Sequence, residues 1–109
     1  MLTSATVQTH TATAVLSIAG DVDVAVAPEL RAAIDQALGL GAGTLVVDMT
    51  QVTFLDSSGI AALVRGRVAA EALAIGFQLR NVPPFIRRVL EITGSLAYLE
   101  GAAADSAIA

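Results

Sequence analysis

Apolar and polar residues alternate with two different periods along this chain, that of a strand and that of a helix, and these periods predict alternating strands and helices. Short runs of Thr, Val and Ile over residues 5–10 and 14–19, separated by a polar turn, predict an antiparallel hairpin. Farther along, Leu30, Ile34 and Leu38 recur every fourth residue, which is the spacing of one buried face of a helix. The chain is therefore predicted to begin with a hairpin followed by an amphipathic helix.

The middle of the chain predicts a buried strand that leads into a second helix. Residues 44–48 are apolar without alternation, which is typical of a strand that is central in its sheet. A short polar turn is expected next, before a helix that begins near Asp56 and runs to about residue 74. The apolar stripe of this helix consists of Ile60, Leu63, Val64 and Val68.

The last third of the chain predicts another strand and a third helix. Residues 77–81 alternate apolar and polar side chains, as a half-buried strand does. Pro84 is expected to start a helix that Gly94 ends. Residues 96–99 are expected to add an edge strand, and residues 100–109 to fray. The inward face of the third helix is predicted to carry Ile86, Val89, Leu90 and Thr93.

This order of elements predicts an α/β fold, with a mixed sheet of four to five strands covered by three to four helices. The 109 residues are enough for one hydrophobic core and too few for two, so residues 1–109 are expected to form a single domain. With three Phe, one Tyr and no Trp, that core has to consist mainly of aliphatic side chains.

Composition and charge exclude several classes of function. A net charge of -4 with only six basic residues disfavours binding to nucleic acid, which needs many cations against its phosphates. The chain has no cysteine and a single histidine, His10, so no disulfide, metal site or cofactor is expected. Residues 1–10 do not resemble a signal peptide, and charges interrupt the most apolar stretch, residues 60–79. We therefore expect no membrane insertion and a cytoplasmic location.

Two hydroxyl groups stand at the predicted start of the second helix, within Asp56-Ser57-Ser58-Gly59. The first turn of a helix has backbone N–H groups without partners and carries the positive end of the helix dipole, so it stabilises an anion. A reversible phosphate on Ser57 fits this chemistry. The alternative is that Asp56 or Ser57 simply caps the helix, which is the commoner use of both residue types.

Three sequence blocks form a wider pattern around this tetrapeptide. They read G-D-V-D followed by A-P-E-L within residues 20–30, V-V-D followed by F-L-D-S-S-G within residues 46–59, and V-P-P followed by R-V-L-E-I-T-G within residues 82–94. In this order and at these separations, the chain resembles the STAS family, the domain of bacterial anti-sigma factor antagonists. The resemblance spans most of the chain and implies the same α/β fold.

The resemblance also implies a function and its partners. In this family the unphosphorylated antagonist binds an anti-sigma factor that is an ATP-dependent serine kinase, and so releases the sigma factor. The phosphorylated antagonist does not bind until a phosphatase, expected here to be of the PP2C type, removes the phosphate. The phosphoacceptor is the Ser after the motif Asp, which corresponds to Ser57. Asp23 and Asp56 are then expected to shape the local field and the kinase contact, with Ser58 and Gly59 at the helix start.

A second part of the predicted docking surface lies farther along the same helix. The face opposite the apolar stripe carries small side chains and one cation, which can admit a partner closely. The alternative is an ordinary Ala-rich helix face exposed to solvent. Ala62 and Arg65 are the two residues of this face that we predict to bind a partner.

Catalysis by this chain is not expected. Ser57 and Ser58 lack the Gly-x-Ser-x-Gly turn of a hydrolase nucleophile, and no histidine stands near them in the sequence. The competing interpretation of the resemblance is a structural role, as a STAS subunit of a stress-sensing assembly or of a lipid transporter complex.

Overall fold

The computed structural model describes residues 2–10 and 12–99, which form four strands and four helices. The strands and helices in chain order are β1 Leu2–His10, β2 Thr13–Val22, α1 Ala27–Leu38, β3 Thr44–Leu55, α2 Ser57–Ala72, β4 Gly76–Arg80, α3 Pro84–Ile92 and a short α4 over residues 95–99. The side chain of His10 and the predicted fraying of residues 100–109 lie outside the described residues.

The four strands form one mixed sheet in the order β1-β2-β3-β4. The first two strands pair antiparallel as the predicted hairpin, whereas β2 with β3 and β3 with β4 are parallel. Parallel neighbours need a crossover connection, and α1 and α2 supply the two crossovers. This arrangement confirms the predicted α/β fold.

The core lies between the sheet and the helices and is mainly aliphatic. The predicted stripe of α1 is confirmed, since Leu30, Ile34 and Leu38 are all buried. Phe77 of β4 is the one aromatic side chain among the largest fully buried residues of the described part. On α3, Ile86 and Leu90 are buried as predicted and Val89 is half-buried.

The inward position predicted for Thr93 is wrong, because this residue is exposed and follows the last turn of α3. Its hydroxyl donates to the carbonyl oxygens of Val89 and Leu90, at 3.1 and 3.2 Å. The Val89 carbonyl oxygen also accepts from the Thr93 N–H, so the hydroxyl supplies a missing donor only to the Leu90 carbonyl oxygen, in the last turn where carbonyl groups lack intrahelical donors.

The polar turn predicted after residue 48 does not exist, because β3 continues as a strand to Leu55. The pairing of β2 with β3 shifts register twice, between Ser17 and Ala19 and between Gly20 and Asp21. At each shift β3 has one residue more than β2, as in a β-bulge. The bulges let polar residues face outward while Met49 remains buried, so a strand persists through a sequence that reads as a turn.

The edge strand predicted over residues 96–99 is also wrong, because this stretch is helical. Leu96 and Leu99 are both buried, at 8% and 0% exposure. A spacing of three residues places two side chains on the same face of a helix, whereas it places them on opposite faces of a strand. Burial of both leucines therefore requires the helix.

The apolar stripe of α2 differs from the prediction at its C-terminal end. Ile60 and Leu63 are buried, but Val68 is 53% exposed and Arg67 is buried in its place. Position 67 lies four residues after Leu63, so the helical period turns it toward the core. One Arg67 nitrogen donates to the Phe77 carbonyl oxygen at 3.5 Å, and the guanidinium carbon lies 5.1 Å from the ring centroid of Tyr98.

Candidate functional site

The candidate site is built at the edge of the sheet where β2 and β3 end side by side. Val22 and Leu55 are paired in the parallel register, and the residues that follow them are Asp23 and Asp56. The backbone N–H of Asp56 donates to the Val22 carbonyl oxygen at 3.2 Å. The loop before α1 and the start of α2 are thereby held together at one edge.

Asp56, and not Ser57, caps α2. The Asp56 backbone is extended, with φ -105° and ψ -173°, and its side-chain Oδ1 accepts hydrogen bonds from the N–H groups of Ser58 at 2.9 Å and Gly59 at 3.1 Å. These are two of the first-turn donors that a helix leaves without partners. The capping alternative raised by the sequence is therefore settled in favour of Asp56.

Because Asp56 caps the helix, the Ser57 hydroxyl is accessible to another protein. Ser57 is the first residue of α2 and is exposed, whereas Ser58 is half-buried. Within residues 2–10 and 12–99, no side-chain hydrogen bond engages the Ser57 hydroxyl. Another protein can therefore reach this oxygen without opening the fold.

Gly59 allows α2 to begin close to the two strand ends. A Cβ atom at this position would lie 2.5 Å from Leu55 Cδ1, 2.9 Å from Val22 Cγ1 and 3.0 Å from the Val22 carbonyl oxygen. Any larger residue would push the helix start away from the sheet. The predicted role of Gly59 at the helix start thus has a packing cause, and the residue itself is buried.

Asp23 shapes the loop before α1. Its Oδ1 accepts from the N–H groups of Ala25 at 3.0 Å and Val26 at 3.3 Å, and its carbonyl oxygen accepts from Val26 and Ala27. A carboxylate that bonds the backbone two and three residues ahead fixes a tight turn. Asp23 is half-buried, and the turn leaves its neighbour Val24 71% exposed.

Three further residues lie at this edge that the sequence did not predict to bind a partner, namely Asp21, Val24 and Phe54. Asp21 pairs with Phe54 in the register of β2 and β3, and Phe54 is 43% exposed. A hydrogen bond from the Thr53 hydroxyl lowers the pKa of Asp21, so this carboxyl is ionised at neutral pH. Phe54 lies in the run of mixed apolar and polar residues after residue 48, which predicted a turn. The two bulges that keep this run within β3 could not be recognised in the sequence.

The two residues predicted to bind a partner farther along α2 differ in exposure. Ala62 is only 1% exposed and belongs to the core, so it offers almost no surface of its own, and its predicted contact with a partner stays a prediction. It lines a groove between α1 and α2 together with Gly66. Arg65 is exposed on the same helix and remains accessible. The remaining predicted residues, Asp23, Asp56, Ser57, Ser58 and Gly59, are brought together at the strand ends.

The described part of the chain offers neither a cluster of metal-ligating side chains nor a membrane-spanning helix. In the described residues, His, Cys, Asp and Glu side chains nowhere gather in a group of three that could hold a metal ion. Among the helices of the same residues, none has the length and apolar character needed to cross a membrane.

The chain is similar to known proteins in sequence and in fold. A family model described as "Mlab, STAS domain" matches residues 5–97. The structure of the anti-sigma factor antagonist SpoIIAA in its unphosphorylated form superposes with a TM-score of 0.72 at 24% identity, covering 85% of this chain and 83% of that one. An anti-sigma factor antagonist from Mycobacterium paratuberculosis superposes with a TM-score of 0.71 at 29% identity, covering 89% of this chain and 81% of that one. No curated protein sequence matches.

Proposed function

We propose, from the premise that the chain belongs to the STAS domain family, that it is an anti-sigma factor antagonist controlled by phosphorylation of Ser57. Unphosphorylated, it binds an anti-sigma factor that is an ATP-dependent serine kinase, and so releases the sigma factor. The kinase switches it off by phosphorylating Ser57, and a PP2C-type phosphatase restores it. The single observation that carries this proposal is an exposed Ser57 hydroxyl beside a helix start that Asp56 already caps.

The helix start makes a phosphate tolerable to the domain itself. A phosphoserine carries a charge of about -1.5 to -2 at neutral pH, and the positive end of a helix dipole stabilises negative charge near the first turn. Since Ser57 is exposed and its hydroxyl holds no structural bond in the described residues, the modification breaks nothing in the fold. The consequence of phosphorylation then falls on the docking partner.

The phosphate that the isolated domain tolerates is unfavourable in an interface with a partner. The edge already carries the carboxylates of Asp21, Asp23 and Asp56, so a phosphate on Ser57 is repelled by like charges there, and this repulsion strengthens when a partner covers the edge and excludes water. Placing a phosphate in such an interface costs desolvation and steric fit. A loss of about 2.7 kcal/mol weakens binding a hundredfold, which suffices for a switch.

The direct test is phosphorylation by the cognate kinase with ATP, followed by mapping of the phosphate by mass spectrometry. Ser57→Ala is expected to abolish labelling, and Ser58→Ala, which alters the neighbouring half-buried hydroxyl, is the matched control and keeps it. Labelling of Ser57→Ala at the wild-type rate would refute the site. Binding of the phosphorylated protein to the kinase as tightly as the unmodified protein would refute the switch.

The structural role in a larger assembly is the second candidate. It is favoured by Phe85 and Ile92, which are 67% and 75% exposed and lie two turns apart on α3, because exposed apolar pairs of this kind suit a permanent contact. A subunit of a stress-sensing assembly or of a lipid transporter complex would co-purify with its partners whether or not ATP is added. An antagonist is expected to leave its kinase when ATP is supplied, so pull-down with and without ATP separates the two.

A further inference from the structure

A groove between α1 and α2 combines a small cavity with two arginine side chains. The cavity has a volume of about 190 Å³, and its lining includes Ile34 with Arg31 and Asp35 from α1, and Ala62, Arg65 and Gly66 from α2. Arg31 and Arg65 are both exposed. The groove thus carries two guanidinium groups and one carboxylate, in a chain whose net charge is -4.

The groove exists because the two helices pack closely below it. A Cβ atom on Gly66 would lie 3.0 Å from Ile34 Cγ2 and 3.1 Å from Ile34 Cδ1, so the Ile34 side chain of α1 packs directly against the backbone of α2 at Gly66. Ala62 is buried at the same contact. Small residues at the contact leave the longer side chains of Arg31 and Arg65 to stand at the rim on opposite sides.

The two arginines have no partners within the described residues. Arg31 and Asp35 lie one helical turn apart, the spacing of a common surface ion pair, yet their charged atoms are not within ion-pair distance. Arg65 likewise forms no ion pair or hydrogen bond through its side chain in residues 2–10 and 12–99. Both guanidinium groups are therefore free to bind an external carboxylate, for which their planar donor geometry is well suited.

We propose that this groove receives an acidic side chain, Asp or Glu, from the protein that docks at Ser57. The inference rests on the proposed function for the identity of the occupant as a protein. Arg65 lies eight residues beyond Ser57, which corresponds to about 12 Å along the axis of α2, so one partner surface reaches both places. The cavity is small, and its two guanidinium groups exceed its one carboxylate, Asp35, by a single positive charge, so the groove favours one acidic side chain.

This surface has a distinct role from the edge around Ser57. The Ser57 edge is acidic, through Asp21, Asp23 and Asp56, whereas the groove has an excess of positive charge. A partner that matches both must carry an acidic residue about 12 Å from the part that contacts Ser57. Two opposite charges at fixed separation specify the orientation of the partner on α2, which is the usual contribution of electrostatic complementarity.

The test uses NMR of the isotopically labelled full chain, titrated with an end-blocked peptide of four Glu residues. Amide signals of residues 31–35 and 62–69 are expected to shift, with weak affinity on the order of 1 mM. The double variant Arg31→Gln with Arg65→Gln is expected to bind at least tenfold more weakly. The matched control, Arg87→Gln with Arg88→Gln on α3, removes the same charge elsewhere and is expected to keep wild-type affinity. A peptide of four Gln residues is expected to give no shifts.

Several outcomes would overturn the proposal. Equal weakening in both double variants would show a general charge effect, and shifts centred outside α1 and α2 would place the contact elsewhere. Equal affinity for acetate or inorganic phosphate would make the groove a site for small anions instead of a docking site. No shift with about 10 mM peptide would also refute it. The titration contains neither kinase nor ATP, so its failure leaves the Ser57 assignment standing, and loss of Ser57 labelling leaves the titration unaffected.

Discussion

At the scale of single residues, Asp56 and Ser57 divide two tasks that either residue type can perform. Asp56 accepts two backbone hydrogen bonds at the start of α2, and the Ser57 hydroxyl remains exposed. We expect Asp56→Ala to lower the free energy of unfolding by about 1 kcal/mol, because the cap is lost. Ser57→Ala is expected to change it by no more than about 0.5 kcal/mol. Urea denaturation measures both, and an equally large loss in Ser57→Ala would contradict the division.

The sequence alone could not divide these tasks. Asp and Ser cap helices with similar preference, so the order Asp56-Ser57 is compatible with a cap at either residue. What decides between them is the extended backbone of Asp56, held by its N–H bond to the Val22 carbonyl oxygen. That bond joins residues 34 positions apart along the chain, and no local pattern encodes it. Ser57 is proposed as the phosphoacceptor mainly because the wider sequence pattern resembles a family.

A second residue pair, Asp48 and Thr50, gives a dependence of stability on pH. Burial alone would raise the pKa of Asp48, but hydrogen bonds from the Thr50 hydroxyl and N–H and from Asn81, with the charge of Arg80, outweigh it and lower the pKa. A lowered folded-state pKa means that these contacts stabilise the protein above the unfolded pKa, about 4, and that this stability is lost as the pH falls through the folded pKa.

We therefore expect Thr50→Val to destabilise the protein at neutral pH and to have little effect in acid. The loss at pH 7 is expected to be a few tenths of a kcal/mol, because Asp48 is only partly buried and solvent screens the contact. The difference in free energy of unfolding between variant and wild type should shrink below about pH 3. Thr9→Val, at an exposed position of β1, is the control and should show no such trend; a constant difference for Thr50→Val would contradict the prediction.

At the scale of elements, the junction between β3 and α2 depends on Gly59. Gly59→Ala would place a methyl group 2.5 Å from Leu55 Cδ1 and 3.0 Å from the Val22 carbonyl oxygen, so the helix start or the strand end has to move. We expect a loss of about 1 to 3 kcal/mol in the free energy of unfolding, as for other overpacked sites. A substitution at Gly41 would not be a suitable control, because its φ of 77° lies in the left-handed region, where any side chain is strained.

The better control is Gly39→Ala, whose Cβ atom would meet nothing nearer than 3.4 Å. It follows the C-terminal end of α1 with φ -68°, a conformation that alanine adopts readily. Thermal or urea unfolding of the two variants measures the contrast. If Gly59→Ala proved as stable as Gly39→Ala, the close approach of helix and strands at residue 59 would be wrong.

The elements also show where periodicity predicts well and where it fails. The stripe of α1 was predictable because its apolar spacing and the helical period agree at Leu30, Ile34 and Leu38. Near the C-terminal end of α2, residue polarity and the helical period disagree. Val68 is the apolar residue, but the period turns position 67 toward the core, so Arg67 is buried and Val68 is exposed. The contacts with the Phe77 carbonyl oxygen and the Tyr98 ring compensate a buried cation there, and both come from distant parts of the chain.

At the scale of the whole molecule, the order of strands and helices was predictable as far as α3, and the local charge pattern was not. Alternation of strand and helix periods leads directly to crossovers and a mixed sheet, because parallel neighbours need a crossover connection. The acidic edge and the basic groove instead depend on which side chains the fold brings together, across β2, β3, α1 and α2. Their separation on the surface gives a net acidic chain two surface regions of opposite charge, which we propose as docking surfaces.

The largest consequence of this charge pattern concerns Ser57→Asp. A carboxylate in the first turn of α2 interacts favourably with the helix dipole, by about 0.3 to 1 kcal/mol, so we expect the melting temperature to stay the same or rise by a few degrees. Binding to the anti-sigma factor is expected to weaken at least tenfold, because the new charge has to be buried in the interface beside Asp56. Calorimetric unfolding and titration of the unphosphorylated partner measure the two quantities on the same protein.

Ser57→Asn is the matched control, since asparagine has nearly the shape of aspartate without its charge. If charge is the cause, Ser57→Asn retains most of the affinity, and the loss in Ser57→Asp diminishes at high salt as screening increases. Equal loss in both variants would assign the effect to steric fit alone. A large fall in the melting temperature of Ser57→Asp would mean that position 57 has a structural role, and the separation between a stable domain and a charge-sensitive interface would no longer hold.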